Sequence, residues 1–357
     1  MKKIVKTLAA ALFAAVLFAG CSKNEKVQTR KPAENIDSSD WIDNLIDGKA
    51  AAQKENKKIF LLFSGDDQDA SSARLKKNIF NTSGFKDEMT KDYVLVNLDF
   101  SVALQEAAVA EPDASEEEKA EAAAIWQKLE ENMRDAGIYN VQATPSFYLL
   151  TKEGYVMWEM LFDKEPQNSG EFFIEYNKLE DDLAVYENTL ASARTGKTED
   201  RLAAINRLFE LTDPQLRSLL TPFSQEYVKL DKKDKTGMVG VHVIAIANAK
   251  ALQHYLDQDA LSASEEFAKV ATSKYLSAEQ KQMAYYTAGY LYAVSGETDY
   301  AKVKDYFQKS YDAAPESKDA ESIKSMMRMM EERYGETETA EPAAEPSATD
   351  STETTAE

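Results

Sequence analysis

Strand-like sequence is confined to one part of this chain, and that asymmetry limits the folds it can adopt. Apolar runs of strand length occur at residues 59–63, 93–100 and 146–150, and such runs are typical of strands buried on both faces. A fourth run, residues 155–158, follows the third after Glu153-Gly154. A glycine-containing turn between two runs indicates a hairpin. The sequence therefore predicts a small sheet whose strands all precede residue 165.

Helical patterns lie before and between these runs, and only helical patterns follow them. Apolar residues within 41–46 have helical spacing, which predicts a helix before the first strand. The acidic stretch 115–135 opens with Ser-Glu-Glu-Glu, which predicts a capped helix between the second and third strands. Over residues 166–334 apolar residues recur at helical spacing in roughly seven segments. We therefore expect an α/β domain over 39–165, with a central mixed sheet flanked by helices, and then an all-α domain.

The N-terminus has the features of a secretory signal peptide. Lysines at positions 2, 3 and 6 precede the apolar run Leu8–Phe18, which is too short to span a membrane. The segment Leu17-Phe18-Ala19-Gly20-Cys21 resembles the lipobox of bacterial lipoproteins, although Phe18 stands where that family usually has leucine. The resemblance implies that residues 1–20 are removed and that Cys21 is acylated, which would anchor the protein to a lipid membrane.

Two polar segments flank the expected domains. Residues 21–38 lack periodicity, which predicts a flexible tether. Residues 335–357 hold seven acidic residues and no basic one, which predicts a disordered acidic tail. Together with the lipobox, these segments predict a lipid-anchored protein of the bacterial cell envelope that faces the periplasm or the cell surface.

Charge and cysteine content exclude several classes of function. The net charge of −20 argues against a nucleic-acid partner, because phosphate contacts need clustered Lys and Arg. Cys21 is the only cysteine, so the chain can form neither an intramolecular disulfide nor a cysteine-based metal site. His242 and His254 lack the spacing of metal ligands, and we interpret both as structural. We expect no metal and no cofactor.

The α/β part resembles the thioredoxin-like domains of exported bacterial proteins. In that family a strand leads through a redox loop into a helix, and a Thr-Pro pair precedes a later strand. The matching residues here are Phe63-Ser64-Gly65, Leu75, Phe80, Val94-Leu95-Val96, Leu98-Asp99-Phe100 and Thr144-Pro145. The resemblance implies a thioredoxin-like fold for residues 39–165.

The redox motif of that family is missing from the loop in which it would lie. Active members carry Cys-x-x-Cys at the start of the helix, whose N-terminus lowers the pKa of the thiol. The resemblance places this motif at Asp69-Ala70-Ser71-Ser72, so Asp69 and Ser72 stand where the two sulfurs would be. Thiol–disulfide exchange needs a thiolate, which neither a carboxylate nor a hydroxyl can replace. We therefore expect that the protein is not a redox enzyme.

Two interpretations of this loop remain open. In one, Asp69, Ser71 and Ser72 cap a helix that begins near Ala73, since Asp and Ser are favoured N-caps. In the other, the acidic residues at positions 66–69 form a metal or hydrolytic site. The spaced ligands of an EF-hand are missing, as is a base beside either serine. The sequence favours capping.

Thr144-Pro145 resembles the cis-proline loop of the thioredoxin family, which faces the redox site and pairs with extended peptide backbone. The resemblance implies a peptide-docking groove that does not depend on sulfur chemistry.

The segment from Tyr285 to Pro315 resembles a tetratricopeptide repeat. The matching positions are Tyr285, Gly289, Tyr292, Gly296, Val303, Phe307, Ser310 and Pro315. Small residues at such positions let paired helices pack closely, and stacked pairs form a concave surface for a protein partner. The resemblance implies a tetratricopeptide-like domain over residues 166–334.

These features together predict a membrane-anchored envelope lipoprotein that acts as a non-catalytic protein-binding or scaffold module. Its partners would be the membrane, through acylated Cys21, and a protein of unknown identity. The alternative is a thioredoxin-family thiol–disulfide or chaperone-like protein that acts on exported proteins.

Overall fold

The computed structural model describes residues 30–34, 36–65, 70–297 and 299–335. The predicted signal peptide, Cys21, most of the tether, Asp69 and all of the acidic tail after Gly335 lie outside the described residues. The predictions made for them are therefore not tested by the structure. Within the described ranges, no helix combines the length and apolar character that a membrane span requires.

Helices and strands alternate in the first part of the chain. In order, the elements are α1 (Leu45–Glu55), β1 (Lys58–Ser64), α2 (Ala70–Leu75) with a π-helical turn (Lys76–Phe80), α3 (Ser83–Met89), β2 (Tyr93–Asp99), α4 (Val102–Ala107), α5 (Glu116–Ile138), β3 (Ser146–Leu150) and β4 (Val156–Glu159). The four strands form one sheet in the order β2-β1-β3-β4. β2 runs parallel to β1, whereas β1–β3 and β3–β4 are antiparallel. The predicted mixed sheet is confirmed.

Only helices follow β4 in the described part of the chain. They are α6 (Ser169–Asn177), α7 (Glu180–Thr195), α8 (Thr198–Leu211), a 3₁₀ helix (Pro214–Leu220), α9 (Thr221–Leu230), α10 (Val239–Leu256), α11 (Ala260–Ala271), α12 (Ala278–Val294), α13 (Tyr300–Ala313) and α14 (Ala320–Gly335). The predicted all-helical C-terminal region is confirmed.

The sheet is covered on both faces, which explains why its strands read as continuous apolar runs. Alternate residues of β1, such as Ile59 and Leu61, join an aliphatic cluster with Val94 and Val96 of β2. On the other face lies an aromatic cluster made of Trp41, Phe60, Phe80, Phe85, Phe147 and Phe172, whose rings meet at centroid distances of 5.1–6.3 Å. Burial of both faces removes the polar alternation that a half-exposed strand would show.

The helix expected over residues 41–46 begins later than its spacing predicts. α1 starts at Leu45, and the side chain of Asn44 caps it by accepting the Asp47 N–H. Ile42 instead pairs with β2: its N–H donates to the Leu95 carbonyl at 2.9 Å, and its carbonyl accepts the Asn97 N–H at 2.8 Å. An open sheet edge offers backbone partners to this segment, and those bonds take the place of the first helical turn.

The described residues divide into two compact units, one up to Ala263 and one from Ser264 onward. This division lies well after residue 165, where the character of the sequence changes. Several helices after β4 pack on the sheet-containing unit: Arg194 of α7 forms an ion pair with Glu153 at 2.9 Å, and Phe223 of α9 lies 5.4 Å from the ring of Tyr155. The first unit therefore includes α6–α10 as well as the sheet.

Candidate functional site

The sheet brings the two predicted site segments to the same edge. β1 ends at Ser64, directly before the loop that carries the degenerate redox motif. In the antiparallel pairing of β1 with β3, Phe63 lies opposite Ser146. Thr144-Pro145 comes immediately before Ser146, so it enters the sheet where β1 leaves it. Segments about 75 residues apart in sequence therefore meet through one strand pairing.

The helix after this loop begins earlier than the sequence predicts. α2 starts at Ala70 rather than near Ala73, so Ser71 and Ser72 lie in its first turn. The prediction that both serines act as N-caps before the helix is therefore wrong. Their hydroxyls instead contact segments outside the helix, and these contacts give each serine a different role. Asp69, the third predicted cap, lies outside the described residues.

Ser72 ties the helix to the end of β1. Its side chain is buried, with 1% of its surface exposed. The hydroxyl oxygen accepts the backbone N–H of Gly65 at 3.0 Å. Gly65 is itself buried, so Ser72 satisfies a backbone donor that water does not reach. A hydroxyl held in this way stabilises the loop and is not presented to a substrate.

Ser71 belongs to a surface cluster that the sequence does not reveal. Its hydroxyl donates to Glu165 Oε2 at 2.9 Å, and Arg74 Nε donates to Glu165 Oε1 at 2.6 Å. Glu165 comes from the segment after β4, more than 90 residues away in sequence. Because Arg74 and Glu165 are partly exposed, we expect their ion pair to contribute little stability. The cluster holds the post-β4 segment against α2.

A second polar network connects the ends of β1 and β2. Lys76 Nζ donates to the Gly65 carbonyl at 3.0 Å and lies 3.6 Å from Asp99 Oδ1. The Ser64 hydroxyl donates to Asn97 Oδ1 at 2.7 Å. These bonds fix the backbone on the strand side of the motif loop, while Ser72 fixes it from the helix side.

The proline loop has the conformation that the resemblance implies. The Thr144–Pro145 peptide bond is cis. The Ser146 hydroxyl donates to the Ala143 carbonyl at 2.7 Å, which closes the loop on itself. Gln142 and Ala143 are exposed, and Thr144 and Pro145 are half-buried. The loop therefore opens to solvent at Gln142 and Ala143, and its predicted peptide-docking role stays a prediction.

Neither histidine lies at this edge of the sheet. His242 is fully buried in α10, where its ring stacks on Tyr227 at 3.9 Å and Nε2 lies 3.0 Å from Asn206 Oδ1. Burial lowers the pKa of His242 to about 4, so the ring is neutral at physiological pH. His254 is half-buried, and its Nδ1 lies 3.9 Å from Asp259 Oδ2. The burial and contacts of His242 are those of a core residue.

Two half-buried groups of opposite charge, Asp135 and Lys49, were not predicted from the sequence. Burial raises the pKa of Asp135 in α5 to about 6, and burial lowers the pKa of Lys49 in α1. Each charge partly offsets the other's shift. Lys49 also crosses the turn at Gly154, whose φ of +92° favours glycine. Nothing in the sequence pattern indicates this pairing, because its members come from separate helices.

The arrangement offers few groups for catalysis. Across the residues that the structure describes, no three His, Cys, Asp or Glu side chains come together as a potential metal site. Asp66 to Asp69 lie outside those residues. The described part of the site therefore consists of a buried hydroxyl, a surface ion pair and a partly exposed proline loop.

Two family models match parts of this chain. Residues 47–160 match a model described as "Thioredoxin-like domain". The chain contains a thioredoxin-like domain. Residues 238–336 match a model described as "Uncharacterised protein C-terminal domain", which covers much of the helical region. Searches of curated proteins and of solved structures gave no match.

The match to the thioredoxin-like family agrees with the element order α1 to β4, which it spans almost completely. It includes both the motif positions and Thr144-Pro145.

Proposed function

We propose that this protein is a lipid-anchored envelope protein whose thioredoxin-like domain binds protein and does not catalyse thiol–disulfide exchange. The observation that carries the proposal is the contrast at one edge of the sheet. The proline loop presents two exposed residues, Gln142 and Ala143, whereas Ser72 at the second motif position is buried and bonded to Gly65.

The chemistry of the motif positions supports the non-catalytic role. Thiol–disulfide exchange requires an attacking thiolate and a second sulfur, and the sequence supplies one cysteine, Cys21. Residues Asp69 and Ser72 cannot take part in electron transfer between sulfurs. We propose that the proline loop still pairs with the extended backbone of a protein partner, and that this loop binds without catalysis.

The helical region supports a binding role on separate grounds. In the second unit, α12 and α13 pack closely at Gly289, where a Cβ would lie 3.1 Å from Tyr306 Cβ and 3.4 Å from the Phe307 ring. A small residue at a helix–helix contact is the feature that suggested a tetratricopeptide-like pair. We propose that this pair belongs to a protein-binding surface.

The proposed anchor rests on the lipobox resemblance at Leu17–Cys21. Metabolic labelling with a radioactive fatty acid tests it. We expect label on the natural chain and none on Cys21→Ala, with the natural chain in the membrane fraction. Equal labelling of both chains would contradict the anchor.

Reduction of insulin disulfides tests the redox part of the proposal. We expect no turnover by the full chain above the rate of the reductant alone. A variant with Asp69→Cys and Ser72→Cys is the matched comparison, because it restores both sulfurs in the same fold. Turnover by the natural chain would refute the proposed loss of redox activity.

A further inference from the structure

A short segment before the first helix is fastened to α1. We call its described residues, 30–34 and 36–38, the strap. The Arg30 guanidinium donates to one oxygen of the Asp47 carboxylate, and the Ala33 N–H donates to the other at 2.8 Å. Asp47 is only 6% exposed. Because a buried carboxylate needs hydrogen-bond donors, these two bonds hold the strap where it meets α1.

The strap follows α1 along its length. Asp47 lies in the first turn of α1, and Glu55 is the last residue of that helix. The Ser38 hydroxyl donates to Glu55, so the strap passes from the start of α1 to its end. Between these two points Ile36 packs against the aliphatic cluster of the sheet. The strap therefore has a polar attachment at each end and an apolar one between them.

The start of α1 lies at the same end of the sheet as the proline loop. α1 covers the aliphatic face, and only residues 56–57 connect its end to the start of β1. So short a connection makes α1 antiparallel to β1, and α1 therefore begins near the end of the sheet where β1 finishes. Thr144-Pro145 lies at that end, because the next residue, Ser146, pairs with Phe63. The strap thus fixes Arg30 at the proline-loop end of the sheet.

The strap also limits how far the domain can lie from the proposed anchor. Arg30 follows Cys21 by nine residues, which span at most about 30 Å when fully extended. Without the strap, the first fixed residue would be Ile42, which pairs with β2, and the limit would rise to about 70 Å. The strap therefore shortens the maximum reach of the domain by more than half.

We propose that the strap turns the proline-loop end of the sheet toward the membrane, and that the loop binds extended segments of membrane-bound proteins close to the lipid surface. The proposal rests on the proposed lipid anchor and on the proposed binding role of the loop. It adds the orientation of the domain and the class of partner. Attachment of both partners to one surface raises their effective concentration, so a weak backbone pairing suffices.

Trypsin digestion of the purified full-length protein tests the strap. Cleavage after Arg30 requires the strap to leave Asp47, and Pro32 blocks cleavage after Lys31. Asp47→Asn keeps the size of the side chain and removes its charge. We expect cleavage after Arg30 to become about tenfold faster, as for the loss of one charge-assisted bond.

Asp43→Asn is the matched control, because Asp43 pairs with Lys128 at 2.6 Å and not with the strap. We expect it to be cleaved at the rate of the natural chain. Thermal melts check that both variants fold. Equal rates for the natural chain and Asp47→Asn, or the same acceleration in both variants, would overturn the strap.

Energy transfer to the membrane tests the orientation. Cys21 is the only cysteine, so in the acylated chain one added cysteine takes a dye specifically. The dye is placed at Ala143→Cys in the proline loop or at Lys91→Cys, an exposed position just before β2 at the other end of the sheet. β1 has seven residues, so the two ends lie about 20 Å apart. In vesicles with acceptor-labelled lipid, we expect stronger transfer from position 143.

The strap variants decide whether the strap causes this orientation. We expect Asp47→Asn to reduce the difference between the two dye positions and Asp43→Asn to leave it unchanged. Equal transfer from both positions, stronger transfer from position 91, or a difference that Asp47→Asn does not alter would each overturn the proposal. Failure of the proposed function is distinguishable: a chain without fatty acid on Cys21 loses the anchor, whereas trypsin digestion still reports on the strap.

The class of partner is tested by crosslinking in cells. A benzophenone amino acid at position 143 forms an adduct with the bound protein, which mass spectrometry identifies. We expect a partner that is itself inserted in the membrane or anchored to it. A partner with neither a membrane span nor an anchor would overturn this part of the proposal.

Discussion

Replacing Ser72 with alanine tests whether this residue is a structural element of the motif loop. The change leaves the buried Gly65 N–H without the acceptor that now lies 3.0 Å away. An unsatisfied buried donor costs about 1–3 kcal/mol. Alanine regains roughly 0.5 kcal/mol through its higher helix propensity. We therefore expect a net loss of about 0.5–2.5 kcal/mol in the free energy of unfolding.

Urea unfolding followed by tryptophan fluorescence measures this loss in the correct unit, because all three tryptophans precede Ala263. Ser71→Ala is the matched control. It has the same change in helix propensity but loses only partly exposed bonds, one to Glu165 and one from Arg74. We expect Ser71→Ala to stay within roughly 0.5 kcal/mol of the natural chain. If Ser72→Ala were as stable as Ser71→Ala, the bond to Gly65 would not support the loop as argued.

Three further perturbations follow from the packing. Phe60 is fully buried between five other aromatic rings. Phe60→Ala should therefore lower the free energy of unfolding in urea by about 3–5 kcal/mol, more than Phe162→Ala, because Phe162 is only half-buried. Ser115 forms a capping box with Glu118, so Ser115→Ala should cost about 1 kcal/mol and lower helicity by circular dichroism. Burial lowers the pKa of His242 to about 4, so the unfolded chain takes up a proton near pH 6.5 that the folded chain does not. The contribution of neutral His242 to the free energy of unfolding is fully present above pH 6.5 and decreases by up to about 3 kcal/mol as the pH drops towards 4. When the free energy of unfolding is measured against pH, His242→Gln should show a smaller decrease over this range.

Each of these has a result that would count against it. Equal losses for Phe60→Ala and Phe162→Ala would mean that the aromatic cluster is not a tightly packed core. A Ser115→Ala variant as helical as the natural chain would show that the cap is redundant. Identical pH profiles for the natural chain and His242→Gln would show that the histidine does not titrate on unfolding.

The strands could be predicted because their signal is local. Ile59 to Phe63 is apolar at every position, since both faces of the sheet are covered, and a run of that kind needs no knowledge of distant residues. The capped start of α5 is likewise encoded by four consecutive residues, Ser115 to Glu118.

The features that sequence reasoning missed depend on contacts between distant segments. Glu165 meets Ser71 and Arg74 only because the chain returns past α2 after β4. Ile42 lies outside the helix because its backbone forms hydrogen bonds with the open edge of β2. No spacing rule links such positions, so only the folded arrangement identifies them.

The central claim is that the proline loop binds protein while the motif loop performs no redox chemistry. Site-specific photocrosslinking in cells tests it most directly. A benzophenone amino acid replaces Ala143, which is exposed in the loop, or Ala120, which is exposed on α5 and serves as the matched control. We expect one discrete protein adduct from position 143 and none from position 120. No adduct at either position, or the same adducts at both, would contradict the claim.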